Sequence, residues 1–97
     1  RRTFYVDVDS GSDSNKGGIM NRLRTIQKSL DMMPNDSVTM SLRHIHLYDN
    51  DGQVYQNVTF PSNKTLQLRS GTGSNIWVYG TNNPIPSNIV CIGVFFD

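Results

Sequence analysis

Two histidines stand one residue apart in this sequence and are its most direct candidates for metal chemistry. His44 and His46 project to the same side if the segment from Arg43 to Leu47 is a regular strand. Imidazole binds iron, copper and zinc, so the pair repeated around a three-fold axis could surround one ion. Met40 and Leu42 would share that side. The alternative is a surface or edge pair, which we favour, and we assign no metal ligand.

Two aromatic residues offer a different chemistry. Trp77 and Tyr79 lie two positions apart in a short apolar segment, which places both rings on one face of a strand. Such a pair can form a flat platform on which a sugar ring stacks, and we therefore predict Trp77 and Tyr79 as saccharide-binding residues. The alternative is that both rings pack against another subunit or a neighbouring layer of the fold.

Carboxylates cluster in two loops and raise the question of calcium, which prefers oxygen ligands on a bending backbone. Four oxygen-bearing residues surround Gly11: Asp7, Asp9, Asp13 and Asn15. Their spacing does not complete the twelve-residue EF-hand pattern, because no Glu stands at its end. We predict a turn rich in Asp and Asn here, and another turn at 49–52.

No set of residues indicates a catalytic centre. The single Cys91 lies in an apolar run, which excludes an intrachain disulfide and a CxxC or zinc cluster and predicts a small buried side chain. No serine is marked as an activated nucleophile by a neighbouring base. We therefore predict no catalytic residue, no metal and no cofactor, and expect that this chain is not an enzyme.

Charge and length limit the classes of partner and the number of domains that the chain can have. Nine Lys and Arg residues oppose eight Asp residues, and the net charge of +1 gives no electrostatic reason to expect nucleic acid or an anionic membrane. No apolar run is long enough to cross a bilayer, so we expect no membrane insertion and a soluble chain. The 97 residues predict one domain, and a start at Arg1 rather than Met predicts a fragment of a longer protein.

The sequence pattern around these residues predicts mostly strands. Alternating residues predict a first strand over Phe4–Asp9 and a loop over 10–18. One helix is indicated by an apolar stripe that Pro34 must end, with Asn21 or Thr25 as its N-cap. The stripe consists of Leu23, Ile26, Leu30 and Met33.

Short strands separated by turns follow the helix. We predict them over Val38–Leu47, Gln56–Phe60, Thr65–Arg69, Ile76–Tyr79 and Ile89–Phe96. No repeat of fixed length is visible, and the rhythm fits a β-solenoid or a small β-sandwich. The last segment is apolar on both strand faces, which predicts burial on both sides, either in a trimer interface or under a continuing sheet.

Several short motifs stand in a familiar order. They are Tyr5-Val6-Asp7, Gly11-Ser12-Asp13, Arg24-Thr25-Ile26-Gln27 and Gly52 with Tyr55. From the start of the chain to about position 70, this order resembles the opening of pectate-lyase-like right-handed parallel β-helix proteins. The chain departs from that pattern at Asn21-Arg22-Leu23, Ser29 and Gln56.

The resemblance implies the N-terminal cap and first coils of a right-handed parallel β-helix, with the small β-sandwich as the alternative. Residues 1–34 would form a capping strand, loop and helix, and residues 35–97 the β-coils. The helix would cover the open end of the stack, where unpaired strands would otherwise meet water.

The family spans lyases, hydrolases, phage appendages and inactive spikes, so fold alone does not choose the function. Our first hypothesis is a structural or receptor-binding segment of a phage tail fibre, spike or baseplate, located in the virion, trimeric, and contacting host saccharide or other tail proteins. The second is the cap of a secreted polysaccharide lyase or glycoside hydrolase whose active coils lie downstream. The third is a small carbohydrate-binding module that uses Trp77 and Tyr79.

Overall fold

Seven strands and one short helix make up the computed structural model, which describes residues 2–38 and 42–97. In chain order they are β1 (Thr3–Val6), α1 (Ile26–Met32), β2 (Arg43–Leu47), β3 (Tyr55–Val58), β4 (Leu66–Ser70), β5 (Ile76–Thr81), β6 (Ile89–Ile92) and β7 (Val94–Phe96). The prediction of a mainly β chain with one short helix is confirmed.

The strands belong to two sheets, and from β2 onward the chain alternates between them. Sheet A has the order β1-β2-β4-β6, and sheet B has the order β3-β5-β7. All pairings between these named strands are parallel. Two parallel strands of one sheet need a crossover between them, and here each crossover from β2 onward contains a strand of the other sheet. Parallel pairing separates this arrangement from the antiparallel sheets of a β-sandwich.

The pairing register contains a repeat that the sequence pattern did not reveal. Arg43 on β2 pairs with Leu66 on β4, and Leu66 pairs with Ile89 on β6, so the two steps along the chain have the same length. In sheet B, the step from Tyr55 to its partner Val78 has that length again, whereas the step from Val78 to Phe96 is shorter. The residue types show no repeat, but the register has a fixed step over β2, β4 and β6 and over the first pair of sheet B.

Connections on one side of the molecule become progressively shorter. The turn from sheet A to sheet B spans seven residues at 48–54, five at 71–75 and one at Gly93. Gly93 has φ +71°, a conformation that costs a side-chain-bearing residue free energy but that glycine adopts readily. This single residue turns the chain from β6 into β7, and the short turn accounts for most of the shorter final step in sheet B.

The core lies between the two sheets and under the helix. Inward positions alternate with outward ones, so that Ile45 and Leu47 are buried while His44 and His46 face outward. Register stacks inward residues across four strands, as in the column Phe4, Ile45, Leu68 and Cys91. Fully burying one Leu or Ile stabilises the fold by about 1.5–3 kcal/mol, so these columns dominate its stability.

Helix α1 begins after Thr25, the second of the two predicted N-caps. The Thr25 hydroxyl accepts a hydrogen bond from the Lys28 N–H, and the Asp13 carboxylate accepts from the N–H and hydroxyl of Thr25. Leu23 lies before the helix and bridges to Val6, so the predicted stripe is buried but only partly helical. The helix contacts β1 and β3, the first strand of each sheet.

The predicted strand Ile89–Phe96 is wrong in two respects. Gly93 divides it into β6 and β7, which belong to different sheets. Its faces are not both buried, because Val90 is 50% exposed, Ile92 43% and Phe95 42%. This apolar run therefore forms two strands. Each strand has one face toward the core and one toward solvent.

Other boundaries differ by a few residues. β1 ends at Val6 rather than Asp9, because the Asp7 carboxylate accepts hydrogen bonds from the backbone of Asp9 and Ser10 and closes a turn. The predicted strand over Val38–Leu47 begins at Arg43, with Val38 in a turn and positions 39–41 outside the described residues.

Candidate functional site

Three exposed aromatic rings lie on the outer face of sheet B. Trp77 is 48% exposed, Tyr79 38% and Phe95 42%. The Trp77 and Phe95 ring centroids are 5.4 Å apart, with 35° between the ring planes. We call these three residues the aromatic strip. It brings together the two predicted saccharide-binding residues, Trp77 and Tyr79, and adds a third.

Strand alternation positions the aromatic strip. On β5, Ile76 and Val78 point into the core, so Trp77 and Tyr79 must point outward. Trp77 pairs with Phe95 on β7, and Tyr79 pairs with Gln56 on β3. The strip therefore has exposed polar neighbours on β3, where Gln56 and Asn57 stand. Exposed apolar area beside amide groups suits a ligand that has both an apolar face and hydroxyl groups.

Phe95 was missed because the sequence analysis placed it in a strand buried on both sides. The signal for its true position is Gly93, the one glycine in that apolar run. A corner there shifts Phe95 into the other sheet, where it pairs with Trp77.

The outer face of sheet A is different, because it carries imidazole, amide and guanidinium groups. His44 and His46 lie on β2, and their register partners on β4 are Gln67 and Arg69. We call these four residues the imidazole patch. The prediction that both histidines face the same side is confirmed, with ring centroids 6.0 Å apart and planes nearly perpendicular at 81°. The Tyr5 ring on β1 stands 5.2 Å from His46, edge to face.

Burial and positive neighbours control the protonation of His46. Partial burial lowers the pKa of His46 below its usual value near 6.5, and the charges of Arg69 and His44 lower that pKa further. The imidazole is therefore mainly neutral at pH 7. Nδ1 of His44 is buried and has no hydrogen-bond partner among the described residues.

The described part of the chain provides no third metal ligand next to the two histidines. Among residues 2–38 and 42–97, no three His, Cys, Asp or Glu side chains stand close enough to hold an ion together. Leu42 is exposed beside the pair, and Met40 lies outside the described residues.

The carboxylates predicted to lie in turns have separate partners. One Asp7 oxygen accepts from the backbone of the next turn, and the other accepts from Arg22 at 3.1 Å. Partial burial raises the pKa of Asp7, but hydrogen bonds from Ser10, Arg22 and Asp9 outweigh it and hold the pKa below its usual range. Each of these bonds stabilises the loop that separates β1 from α1.

Other Asp side chains tie one layer of the fold to the next. Asp9 accepts from the Gln53 N–H at 3.0 Å and from the Asp51 N–H at 2.5 Å, across the first turn between the sheets. Asp49 accepts from the hydroxyls of Thr72 and Ser74 in the following turn. The predicted acidic turns therefore connect layers through charge-assisted hydrogen bonds.

An ion pair between a buried arginine and a partly exposed carboxylate lies where the chain enters β2. The Arg43 side chain is only 2% exposed and donates to the Asp36 carboxylate and to the Pro34 carbonyl. Asp36 also accepts from the N–H of Thr65 at 2.8 Å and from its hydroxyl at 2.6 Å. These bonds from Thr65, together with the charge of Arg43, lower the pKa of Asp36. The groups stabilise one another and leave no free base.

A cleft of about 190 Å³ lies between the helix start and the first turn from sheet A to sheet B. Val8, Ile26 and Tyr55 provide its apolar lining, and Arg24 and Gln53 its polar rim. Small-molecule sites measure roughly 300–1,000 Å³, so this cleft is smaller than that range.

Cys91 faces inward on β6 and packs against the core while remaining partly exposed. Burial raises the pKa of the Cys91 thiol, which keeps it protonated and unreactive at pH 7.

Within the described ranges, no helix has the length and apolar character that a membrane crossing requires. Comparison of the chain with protein-family models, with curated proteins and with solved structures gave no match.

Proposed function

We propose that this chain forms the N-terminal cap and first coils of a right-handed parallel β-helix that serves a bacteriophage tail fibre, spike or baseplate. In this proposal the segment is structural and binds receptor, with the aromatic strip contacting a host-surface saccharide. The observation that carries the binding role is the exposed pairing of Trp77 with Phe95 on the outer face of sheet B.

Three features support the β-helix. From β2 onward each layer contributes one strand to sheet A and one to sheet B, all parallel. The register repeats a step of the same length at three pairings, from β2 to β4, from β3 to β5 and from β4 to β6. Helix α1 contacts the first strand of both sheets, where a cap is needed. Right-handedness follows from the general rule that about 98% of crossovers between parallel strands have that hand.

The aromatic strip has the properties of a sugar-stacking surface. Exposed Trp and Phe rings present a large apolar area to water, and the C–H face of a sugar ring can cover that area while its hydroxyl groups stay hydrated. Exposed amides of Gln56 and Asn57 on the neighbouring strand can bond to those hydroxyls. A polysaccharide on a bacterial surface offers many such rings in a row.

A homotrimer is part of the proposal. Val90 and Ile92 expose apolar surface on the outer face of β6, and a three-fold contact through β6 would bury it. Other tail proteins are the further partners that a virion location implies. Light scattering on the intact chain tests the assembly, with a trimer expected and a concentration-independent monomer as the contradicting result.

Saccharide binding is tested by affinity electrophoresis in gels that contain purified capsular or cell-wall polysaccharide. We expect Trp77→Ala to weaken retardation about tenfold or more, because the largest ring of the platform is lost. Ile19→Ala is the matched control, since Ile19 is exposed but lies away from the strip. Equal retardation of the two variants and the unaltered chain would contradict the proposal.

The proposal includes no catalytic role for this segment. The same polysaccharides are incubated with the chain and assayed for new reducing ends and for the ultraviolet absorbance of unsaturated sugars. We expect neither signal to rise above the background. A rise that scales with protein concentration would favour the polysaccharide-degrading alternative.

A further inference from the structure

The imidazole patch is a second surface with binding chemistry, on a different sheet from the aromatic strip. We infer that the imidazole patch binds an oxyanion, a carboxylate or a phosphate group, between His46 and Arg69. The inference goes beyond the saccharide role of sheet B and does not depend on it.

The pairing of β2 with β4 brings the hydrogen-bond donors of the patch close together. His46 and Arg69 are direct register partners on β2 and β4, and neighbouring strands lie about 4.8 Å apart. His44 and Gln67 form the adjacent pair on the same outer face. One small anion can therefore reach imidazole N–H, guanidinium N–H and amide N–H groups from two strands.

The patch lacks a negative partner of its own among the described residues. Three described groups face His46: Tyr5 from β1, Arg69 from β4 and His44 from the same strand. None of these is a carboxylate. The ion pairs in the described part of the chain join Arg22 to Asp7 and Arg43 to Asp36, so Arg69 takes part in neither. A guanidinium beside two imidazoles without a counter-charge favours an anion from outside.

The same arrangement disfavours a cation. A divalent metal at His44 and His46 would stand close to the Arg69 charge, and it would find only two protein ligands among the described residues. An oxyanion meets neither obstacle.

Protonation couples binding to pH. Burial, Arg69 and His44 lower the pKa of His46, so a bound anion must raise that pKa by stabilising the imidazolium. Binding should therefore tighten as the pH falls from 8 to 5.5. The direction is opposite to that of a metal, which competes with protons for imidazole.

Nuclear magnetic resonance of the imidazoles is the direct test, because the chain has two histidines. The intact chain is titrated with inorganic phosphate and separately with glucuronate, at constant ionic strength, at pH 5.5 and pH 8. We expect saturable shifts of the His46 signal, an upward shift of its pKa, and tighter binding at pH 5.5. The stronger of the two titrations identifies phosphate or carboxylate as the preferred group.

Single substitutions distinguish binding at the imidazole patch from nonspecific attraction of anions to positive charge. Arg69→Gln should weaken binding about tenfold, while Arg69→Lys should retain part of it because the charge remains. Lys28→Gln removes the same charge from α1, outside the patch, and should change the affinity less than about twofold. Circular dichroism confirms that each variant is folded.

Three results would overturn the inference. One is that neither anion produces saturable imidazole shifts at concentrations up to some tens of millimolar. Another is equal weakening by Arg69→Gln and Lys28→Gln. The last is saturation of both imidazoles by Zn²⁺ at micromolar concentration without any response to anions.

Discussion

Sheets A and B have the same kind of inner face and different outer faces. Inside, both have buried aliphatic side chains at alternate positions, such as Leu68 in sheet A and Val78 in sheet B. Outside, sheet A exposes the imidazole patch and sheet B the aromatic strip. Since parallel register stacks equivalent positions of successive layers, outward residues form columns whose chemistry differs between the sheets.

The residues that stabilise the fold are therefore different from those that would take part in the proposed binding. Inward columns supply the burial that stabilises the fold, and they tolerate few changes. Outward columns bury less apolar area, so they contribute less to the free energy of unfolding.

The largest effect is expected inside sheet A. Leu68 is fully buried, and Leu68→Ala should lower the free energy of unfolding by about 2–5 kcal/mol through lost burial and a cavity. Trp77→Ala on the outer face should cost less than about 1 kcal/mol, although it removes more atoms. Urea unfolding followed by circular dichroism measures both. A larger loss for Trp77→Ala would break the distinction between inner and outer columns.

The next effect compares two tyrosines. The Tyr55 hydroxyl is buried, accepts from the Val8 N–H at 3.3 Å and donates to the Tyr48 carbonyl at 2.8 Å. Tyr55→Phe leaves these groups without a partner and should cost about 1–3 kcal/mol. Tyr79→Phe, on the exposed strip, should lie within about 0.5 kcal/mol of the unaltered chain. Similar denaturation midpoints for the two variants would contradict the prediction.

A smaller effect tests the corner that joins the two sheets. Gly93→Ala should cost about 1–2 kcal/mol, because alanine is strained at φ +71° and its Cβ would lie 3.2 Å from the Cβ of Ser70. Gly73 also has positive φ but open space around it, so Gly73→Ala isolates the cost of conformation. Thermal unfolding should rank Gly93→Ala below Gly73→Ala in stability. The reverse order would show that crowding at the corner does not add to the loss of stability in Gly93→Ala.

The smallest effect is a pH dependence that belongs to sheet A. The pKa of His46 is lower in the folded chain than its usual value near 6.5, so the unfolded chain binds more protons in this range and stability falls as the pH falls below 6.5. Asp7, whose pKa is also lowered, loses its contribution only as the pH falls below about 4. His46→Gln should reduce the change in the free energy of unfolding between pH 7 and pH 5. Asp7→Asn should reduce that change only at lower pH. Thermal unfolding across pH checks both, and an unchanged slope for His46→Gln would contradict the first.

Strand alternation allowed part of the candidate surfaces to be predicted from sequence. The shared face of His44 and His46 and that of Trp77 and Tyr79 follow from spacing alone. The end before Pro34 follows from helix chemistry, which also gave Thr25 as one of two possible N-caps, with Asn21 as the other. These are local properties, which neighbouring residues determine.

Properties that depend on long-range register were not predictable. The repeat in the register is hidden because equivalent inner positions hold Arg43, Leu66 and Ile89, which share burial but not residue type. Phe95 was assigned to the wrong kind of strand because an apolar run does not show that Gly93 is a corner. Gly93 marks a position where a corner is possible, but pairing between distant strands decides between one long strand and two short ones.

The shortening of the turns has a consequence for any chain-like ligand. At the first two turns, loops of seven and five residues lie between the outer faces of sheets A and B, whereas at Gly93 a single residue separates β6 from β7. The passage from sheet A to sheet B that has the fewest loop residues is therefore at Gly93, between Ile92 and Phe95. A polymer that bound to both outer faces would meet the least intervening loop along that edge.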